Sequence, residues 1–159
     1  LFSGTVRENL LYAKPDATEE EIGRALELVS ADEVIARLEK GLETDVGEGG
    51  NRLSIGQKQL ISLARALAIK PSILILDDTT SAVDMETEKQ IQHSLRNLDF
   101  PCTKIIIAQR ISTTKFCDKI LVLKDGKIIE SGNHRELVEA NGYYAELVKL
   151  QLGESVVSA

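Results

Sequence analysis

The sequence predicts an α/β domain, and three observations carry that reading. Residues 73–76 and 105–108 are continuous apolar runs of strand length. Stretches with apolar residues at helical spacing lie before, between and after them. Lastly, Asp125-Gly126 sits between two short β-prone runs, the composition of a two-residue hairpin turn. Strands alternating with helices give an α/β fold.

Taken in order, residues 1–11 are apolar-rich and open without Met, which reads as the middle of a protein. After the turn-prone Lys14-Pro15-Asp16-Ala17, Thr18 and Glu21 form a capping box and Glu19 and Glu20 suit the positive end of the helix that follows. Ile22, Ala25, Leu26 and Val29 give that helix one apolar face. A short second helix is expected over 32–38, capped by Asp32. Residues 41–52 form a loop rich in Gly, with Gly47, Gly49 and Gly50. Ser54 then opens a long helix to Ile69, with Leu60, Leu63, Ala64 and Leu67 on one stripe and Pro71 beyond its end.

The run 73–76 reads as a strand buried on both faces of a parallel sheet, and 105–108 as a second of the same kind, with a helix over about 86–98 between them. The hairpin joins 120–124 to 127–130. Helices over 135–140 and 143–152 close the chain, ahead of a frayed tail at 153–159.

Bulk properties bound the function. The 159 residues are enough for one sizeable core, which must be aliphatic because aromatics make up only 4%. A net charge of −6 lacks the basic face that nucleic acid needs, so no nucleic-acid partner is expected. Cys102 and Cys117 have no metal spacing and are expected to be reduced thiols. No apolar run approaches the ~20 residues of a membrane span, so membrane association is expected through a partner or a further part of the protein.

Two motifs carry chemistry. The apolar run 73–76 ends in Asp77-Asp78, and open α/β sheets bind ligands at the carboxyl ends of their strands. Paired carboxylates there would be compensated by Mg²⁺ and phosphate, although a solvated strand end would look the same. Leu53-Ser54-Ile55-Gly56-Gln57 places an N-cap and free backbone N–H groups at a helix start, which can hold an anion or simply cap the helix.

In order along the chain come Leu53-Ser54-Ile55-Gly56-Gln57, Leu63-Ala64-Arg65-Ala66-Leu67, Pro71, the run to Asp77-Asp78, Ser81-Ala82-Val83-Asp84, and Lys104 to Ala108 with Gln109-Arg110. This series resembles the nucleotide-binding domain of ATP-binding-cassette (ABC) exporters. The first piece is similar to the family's signature motif, 73–78 to its Walker B motif, 81–84 to its D-loop and 104–110 to the segment with its switch residue. Residues 1–11, 44–50 and 122–137 resemble exporter segments as well.

The resemblance implies a P-loop NTPase-like fold, a RecA-like core with a helical signature subdomain. Residues 1–159 would be the C-terminal part of that domain, about 12–70 the helical subdomain and about 71–152 part of the core. It implies ATP and Mg²⁺ as ligands: Asp77 would hold Mg²⁺ through water, Asp78 would polarise the attacking water, and Gln109 would contact the γ-phosphate. Ser54, Gly56 and Gln57 would contact ATP bound to the opposite subunit, and Asp84 would link the two sites. The implied partners are a second nucleotide-binding domain, head to tail, and a transmembrane domain near residues 7–11 and 48–50. The implied place is the cytoplasmic face of the membrane, and the activity is ATP hydrolysis that drives export.

Four departures qualify this. Asp78 stands where most members carry Glu, a side chain shorter by one methylene or roughly 1.5 Å. Gln109 stands where most carry His and cannot become cationic. Both fall in one ATP site, as in the degenerate site of a heterodimeric exporter. Ile55 replaces a signature Gly. Finally, no G-x-x-x-x-G-K-[ST] loop occurs, so these residues alone are expected to bind ATP weakly, not to turn it over, and to be marginal or to associate through an unpaired sheet edge. The alternatives are a catalytically impaired regulatory subunit supporting hydrolysis at its partner's site, and a soluble relative acting on DNA or ribosomes. The second would need a basic surface or coiled-coil insertions, and the sequence has neither.

His93 is expected on the surface, His134 with Asn133 at a helix cap, and Tyr143 and Tyr144 against the last helix's neighbours.

Overall fold

The computed structural model describes residues 1–77 and 85–153, without the side chains of 85–87 and 90. The chain divides into two compact units, Leu1–Ile105 and Ile106–Ala159.

The first unit opens with a helix that the sequence reading left out. Thr5 and Glu8 make a full capping box for α1 (Val6–Leu11). Its entry is fixed from two sides. Thr5 bridges Asp45, and the Val46 amide donates to Gly4 O at 2.8 Å. Asn9, only 1% exposed, donates from Nδ2 to Phe2 O at 2.9 Å and Thr5 O at 3.0 Å, while Phe2 N donates to its Oδ1 at 2.9 Å.

The expected Thr18–Glu21 box caps α2 (Glu19–Glu27), which buries Ile22, Ala25 and Leu26. The next helix, α3 (Asp32–Ala36), is shorter than expected and is not capped by Asp32. Its N-cap is Ala31, in helical geometry and with no side-chain bond; Asp32 is the first helical residue. A carboxylate there still meets the positive helix end. The loop 41–52 contains two single 3-10 turns, Gly41–Glu43 and Glu48–Gly50. Gly47 makes its bend possible: at φ +74°, a Cβ would lie 2.1 Å from Asn51 Oδ1.

The long helix α4 (Ile55–Ala68) packs on α1 and α2, burying Leu60, Ile61, Leu63, Ala64 and Leu67. Each fully buried aliphatic side chain contributes about 1.5–3 kcal/mol. Arg7 of α1 ties this unit's surface together by ion pairs to Glu19 and to Glu43, the latter at 2.5 Å. Beyond α4 come β1 (Ile73–Asp77), α5 (Met85–Arg96) and β2 (Thr103–Ile107). The strands β1 and β2 pair as a two-stranded sheet.

One expectation about this sheet is corrected. The strand β1 is not buried on both faces: Leu74 and Leu76 are 4% exposed, but Ile73 and Ile75 are 61% and 62% exposed. The two-residue period of a strand sends alternate side chains to opposite faces, and among the described residues only one face is covered. In the same way Ile105 and Ile107 are 48% and 54% exposed.

In the second unit a short helix α6 (Ile111–Thr114) precedes β3 (Ile120–Lys124) and β4 (Lys127–Gly132), an antiparallel hairpin with a bulge between Val122 and Leu123. Asp125 and Gly126 have φ +50° and +74°, the paired left-handed geometry expected of that turn. Helices α7 (His134–Glu139) and α8 (Tyr143–Leu152) follow. Asn133 caps α7 in a box with Glu136. Ile111, Ile120, Val122, Leu137, Tyr144 and Val148 form this unit's core.

Candidate functional site

The amino end of α4 is the best-defined part of the site. Ser54 is extended at φ −64°, ψ 161°, and its Oγ accepts from Gln57 N at 3.2 Å. Gln57 returns the bond, its Oε1 accepting from Ser54 N at 2.9 Å. This reciprocal pair fixes both side chains and sets the first turn. The amides of Ile55 and Gly56, in the first turn, have no intrahelical acceptor and stand at the positive pole of a four-turn helix. The arrangement can donate hydrogen bonds to an anion approaching along the axis. Ser54, Gly56 and Gln57 thus stand together in the cap and first turn of α4.

Ile55 is 65% exposed, so the residue that departs from the signature pattern turns its side chain to solvent and leaves the cap undistorted. The loop before the helix is held by Asp45, which accepts from Gly47 N at 2.8 Å and pairs with Arg52 at 2.8 Å.

Asp77 is the last residue of β1 and is exposed. A solvent-facing carboxylate at a strand end can accept from metal-bound water. That donor chemistry fits Mg²⁺. Asp78 and Asp84 lie outside the described residues, as does the rest of the segment 78–84.

Gln109 lies two residues beyond β2, exposed, in the short turn ahead of α6. The turn itself is anchored: Gln151 Nε2 donates to Gln109 O at 2.9 Å, and Ile111 N donates to Gln151 Oε1 at 2.8 Å. Sequence reasoning missed Gln151, because nothing in a single glutamine near the end of an amphipathic helix marks a partner some forty residues away.

A second feature escaped the sequence reading. Phe2 and Tyr12 stack with ring centroids 4.2 Å apart, 49% and 67% exposed, and the Arg65 guanidinium lies 5.2 Å from the Phe2 ring centre. Of the bland expectations, the surface position of His93 holds and the capping role of His134 does not. His93 is exposed, and Cys102 and Cys117 are not joined to each other by a disulfide. His134 is the first residue of α7 rather than its cap, bonded to Tyr144. No helix among the described residues is long and apolar enough to cross a membrane.

Comparison with known proteins agrees with this geometry. The family model described as ABC transporter matches residues 1–81. A Bacillus subtilis protein described as an uncharacterized ABC transporter ATP-binding protein, YknV, is 46% identical over 98% of this chain. A Staphylococcus aureus protein described as a putative multidrug export ATP-binding/permease protein is 46% identical over 95% of it. In both cases the chain spans 26% of the relative's length. A solved structure of a bacterial Atm1-family ABC exporter with ATP bound superposes with a TM-score of 0.92 at 39% identity, covering 97% of this chain and 27% of that one. With the signature-type helix cap, the strand ending in Asp77 and these matches together, the chain belongs to the ABC transporter family and carries part of its P-loop NTPase fold.

Proposed function

We propose that this chain is part of the ATP-hydrolysing domain of an ABC exporter, working at the cytoplasmic face of a membrane in a head-to-tail pair with a second nucleotide-binding domain. The observation that carries the proposal is the amino end of α4, where the Ser54–Gln57 box leaves the Ile55 and Gly56 amides directed outward. Ser54, Gly56 and Gln57 bind the γ-phosphate of ATP held by the partner domain. Their donors are fixed before the nucleotide arrives, so little reorganisation is needed when charge develops on the transferring phosphoryl group.

At the other site, Asp77 would hold Mg²⁺ through water, and Asp78 and Gln109 would address the attacking water and the γ-phosphate. Mg²⁺, when bound, supplies neutralisation of the phosphate charge. The carboxyl of Asp78 reaches roughly 1.5 Å less far than a Glu would, and general-base catalysis depends on that reach. Gln109 can donate a hydrogen bond but cannot carry a proton at neutral pH. This site therefore binds ATP and turns it over slowly, and the pair is an asymmetric heterodimer. Asp84 links the two sites. The exposed Phe2–Tyr12 pair faces the transmembrane domain, and residues 7–11 and 48–50 lie near it.

A second reading follows from the same two residues: with both weakened, the chain acts as a regulatory subunit that binds ATP and supports hydrolysis at the partner's site. ATP turnover by the full-length protein, with and without its partner, beside Asp78→Glu combined with Gln109→His, tests both. Low turnover alone, raised by the double change, supports the asymmetric exporter. Full turnover alone, indifferent to the double change, makes Asp78 and Gln109 adequate catalytic residues and removes the asymmetry. Turnover that needs the partner and does not respond to the double change favours the regulatory subunit.

A further inference from the structure

The helix α6 begins without a side-chain cap of its own: its N-cap, Arg110, is extended at φ −97°, ψ 127° and makes no capping bond. The first amide of the helix, Ile111 N–H, would be left over in such a start. It is instead taken by Gln151 Oε1 at 2.8 Å, from the far end of α8. The same amide group donates from Nε2 to Gln109 O at 2.9 Å. One side chain thus grips the backbone on both sides of Arg110.

The chemistry of the grip admits only glutamine. Ile111 N–H can only donate and Gln109 C=O can only accept, so the amide orientation is fixed by its partners. Glutamate would lack the donor and set a carboxylate against the Gln109 carbonyl. Asparagine would fall short by roughly 1.5 Å. The base of the grip is firm, because Val148, one turn before Gln151, is buried in the same cluster as Ile111. Gln151 itself is exposed. Holding an exposed glutamine in one rotamer costs conformational entropy, which offsets much of what its two bonds contribute to folding. What the tie does accomplish is local, in fixing the path of the turn that carries Gln109.

We propose that Gln151 is a positioning residue for the nucleotide site, setting the placement of Gln109 through the backbone of residues 109–111. This rests on the reading of Gln109 as a γ-phosphate contact. It makes the last turn of α8 part of the ATPase machinery by way of the backbone of residues 109–111.

The test uses the full-length protein in its membrane, with Gln151→Ala, Gln151→Glu, Gln109→Ala and the Gln151→Ala/Gln109→Ala double variant. Steady-state turnover, apparent ATP affinity, thermal midpoint and hydrogen exchange of the peptide holding 108–112 are measured for each. The expected result has four parts. Exchange at 108–112 rises in both Gln151 variants with the thermal midpoint unmoved. Whichever parameter Gln109→Ala alters, turnover or affinity, Gln151→Ala alters in the same direction, by about 3- to 30-fold. Gln151→Glu is at least as impaired as Gln151→Ala. The double variant is no worse than the stronger single, because the two residues act as one unit. Unchanged exchange overturns the proposal, as do losses that multiply in the double variant, or a Gln151→Ala protein that matches wild type where Gln109→Ala is impaired. If Gln109→Ala changes neither turnover nor affinity, the reading of Gln109 itself fails and the proposal falls with it.

Discussion

His134 Nδ1 and the Tyr144 hydroxyl lie 2.9 Å apart, with the two rings edge to face at 80°. The contact joins the first turn of α7 to α8, inside the second unit. Burial, followed by the nearby positive charge of Lys115, pushes the His134 imidazole below its ordinary value near 6.5. The Tyr144 hydroxyl is itself pushed up by burial, so it stays protonated. The neutral imidazole is the form the fold prefers. Its contribution is fully present above the unfolded value of about 6.5 and is lost as pH falls through that value toward the lower folded one. The thermal midpoint should drop between about pH 7.5 and 5.5, and His134→Gln should flatten that slope. A slope that His134→Gln leaves unchanged would place the acid sensitivity elsewhere.

Glu130 should behave as the cap of α8. Gly142, the N-cap, makes no side-chain bond, and the Glu130 carboxylate accepts from Tyr143 N at 2.5 Å and Tyr144 N at 3.0 Å. Glu130→Ala should cost about 1–2 kcal/mol, readable as a shift in the urea midpoint without change of slope. Gly142→Ala should also destabilise, since its Cβ would come 2.2 Å from a Glu130 oxygen. In a Glu130→Ala background that second penalty should disappear, and its persistence would refute the capping role.

Ser54 serves both stability and, as proposed, nucleotide contact, and two substitutions separate the roles. Ser54→Ala removes the acceptor of Gln57 N and should cost about 1 kcal/mol of stability along with ATPase activity. Ser54→Asn keeps a competent cap but changes the group presented to phosphate, so stability should survive while turnover by the full-length pair falls. Equal losses of activity and stability in both variants would mean that the residue is only a cap.

Asn9 should be intolerant of an isosteric change. Its Nδ2 donates to the carbonyls of Phe2 and Thr5 from a buried position, and Asn9→Asp would face both with oxygen. The expected loss is about 1–3 kcal/mol or more, with the pH of maximum stability moving to the acid side as the carboxyl is protonated. Thermal unfolding across pH decides it; a variant as stable as wild type at neutral pH would show that the Phe2 segment can reposition.

Much of this was legible in the sequence because the signals were local. Thr18 with Glu21 and Ser54 with Gln57 satisfy one another within a single turn, and Asp125-Gly126 declares its own backbone geometry. The helix from Tyr143 to Leu152 was expected at those residues. What went unread has partners beyond the reach of a local motif: Asn9 bonds back to Phe2 seven residues away, Glu130 caps α8 from thirteen residues away, and Gln151 reaches across the turn after β2. Their residue types are common and carry no periodicity. The strand β1 was misread for a related reason. An unbroken apolar run has no polar face to announce which side is covered, so Ile73 and Ile75 look the same in sequence as Leu74 and Leu76.

The bare isoleucines also decide how this chain behaves in a test tube. With Ile73, Ile75 and Ile105 open to water at 61%, 62% and 48%, the dissolved polypeptide carries a stretch of surface with the wetting properties of a core. Its colloidal behaviour should then follow apolar rather than ionic rules. Sulfate should hasten clouding, dilute sodium chloride should not clear it, and cooling should thin the suspension by weakening the attraction between apolar faces. Lysine at Ile75, which stands away from the buried side of the strand, should keep the fold and restore a clear solution.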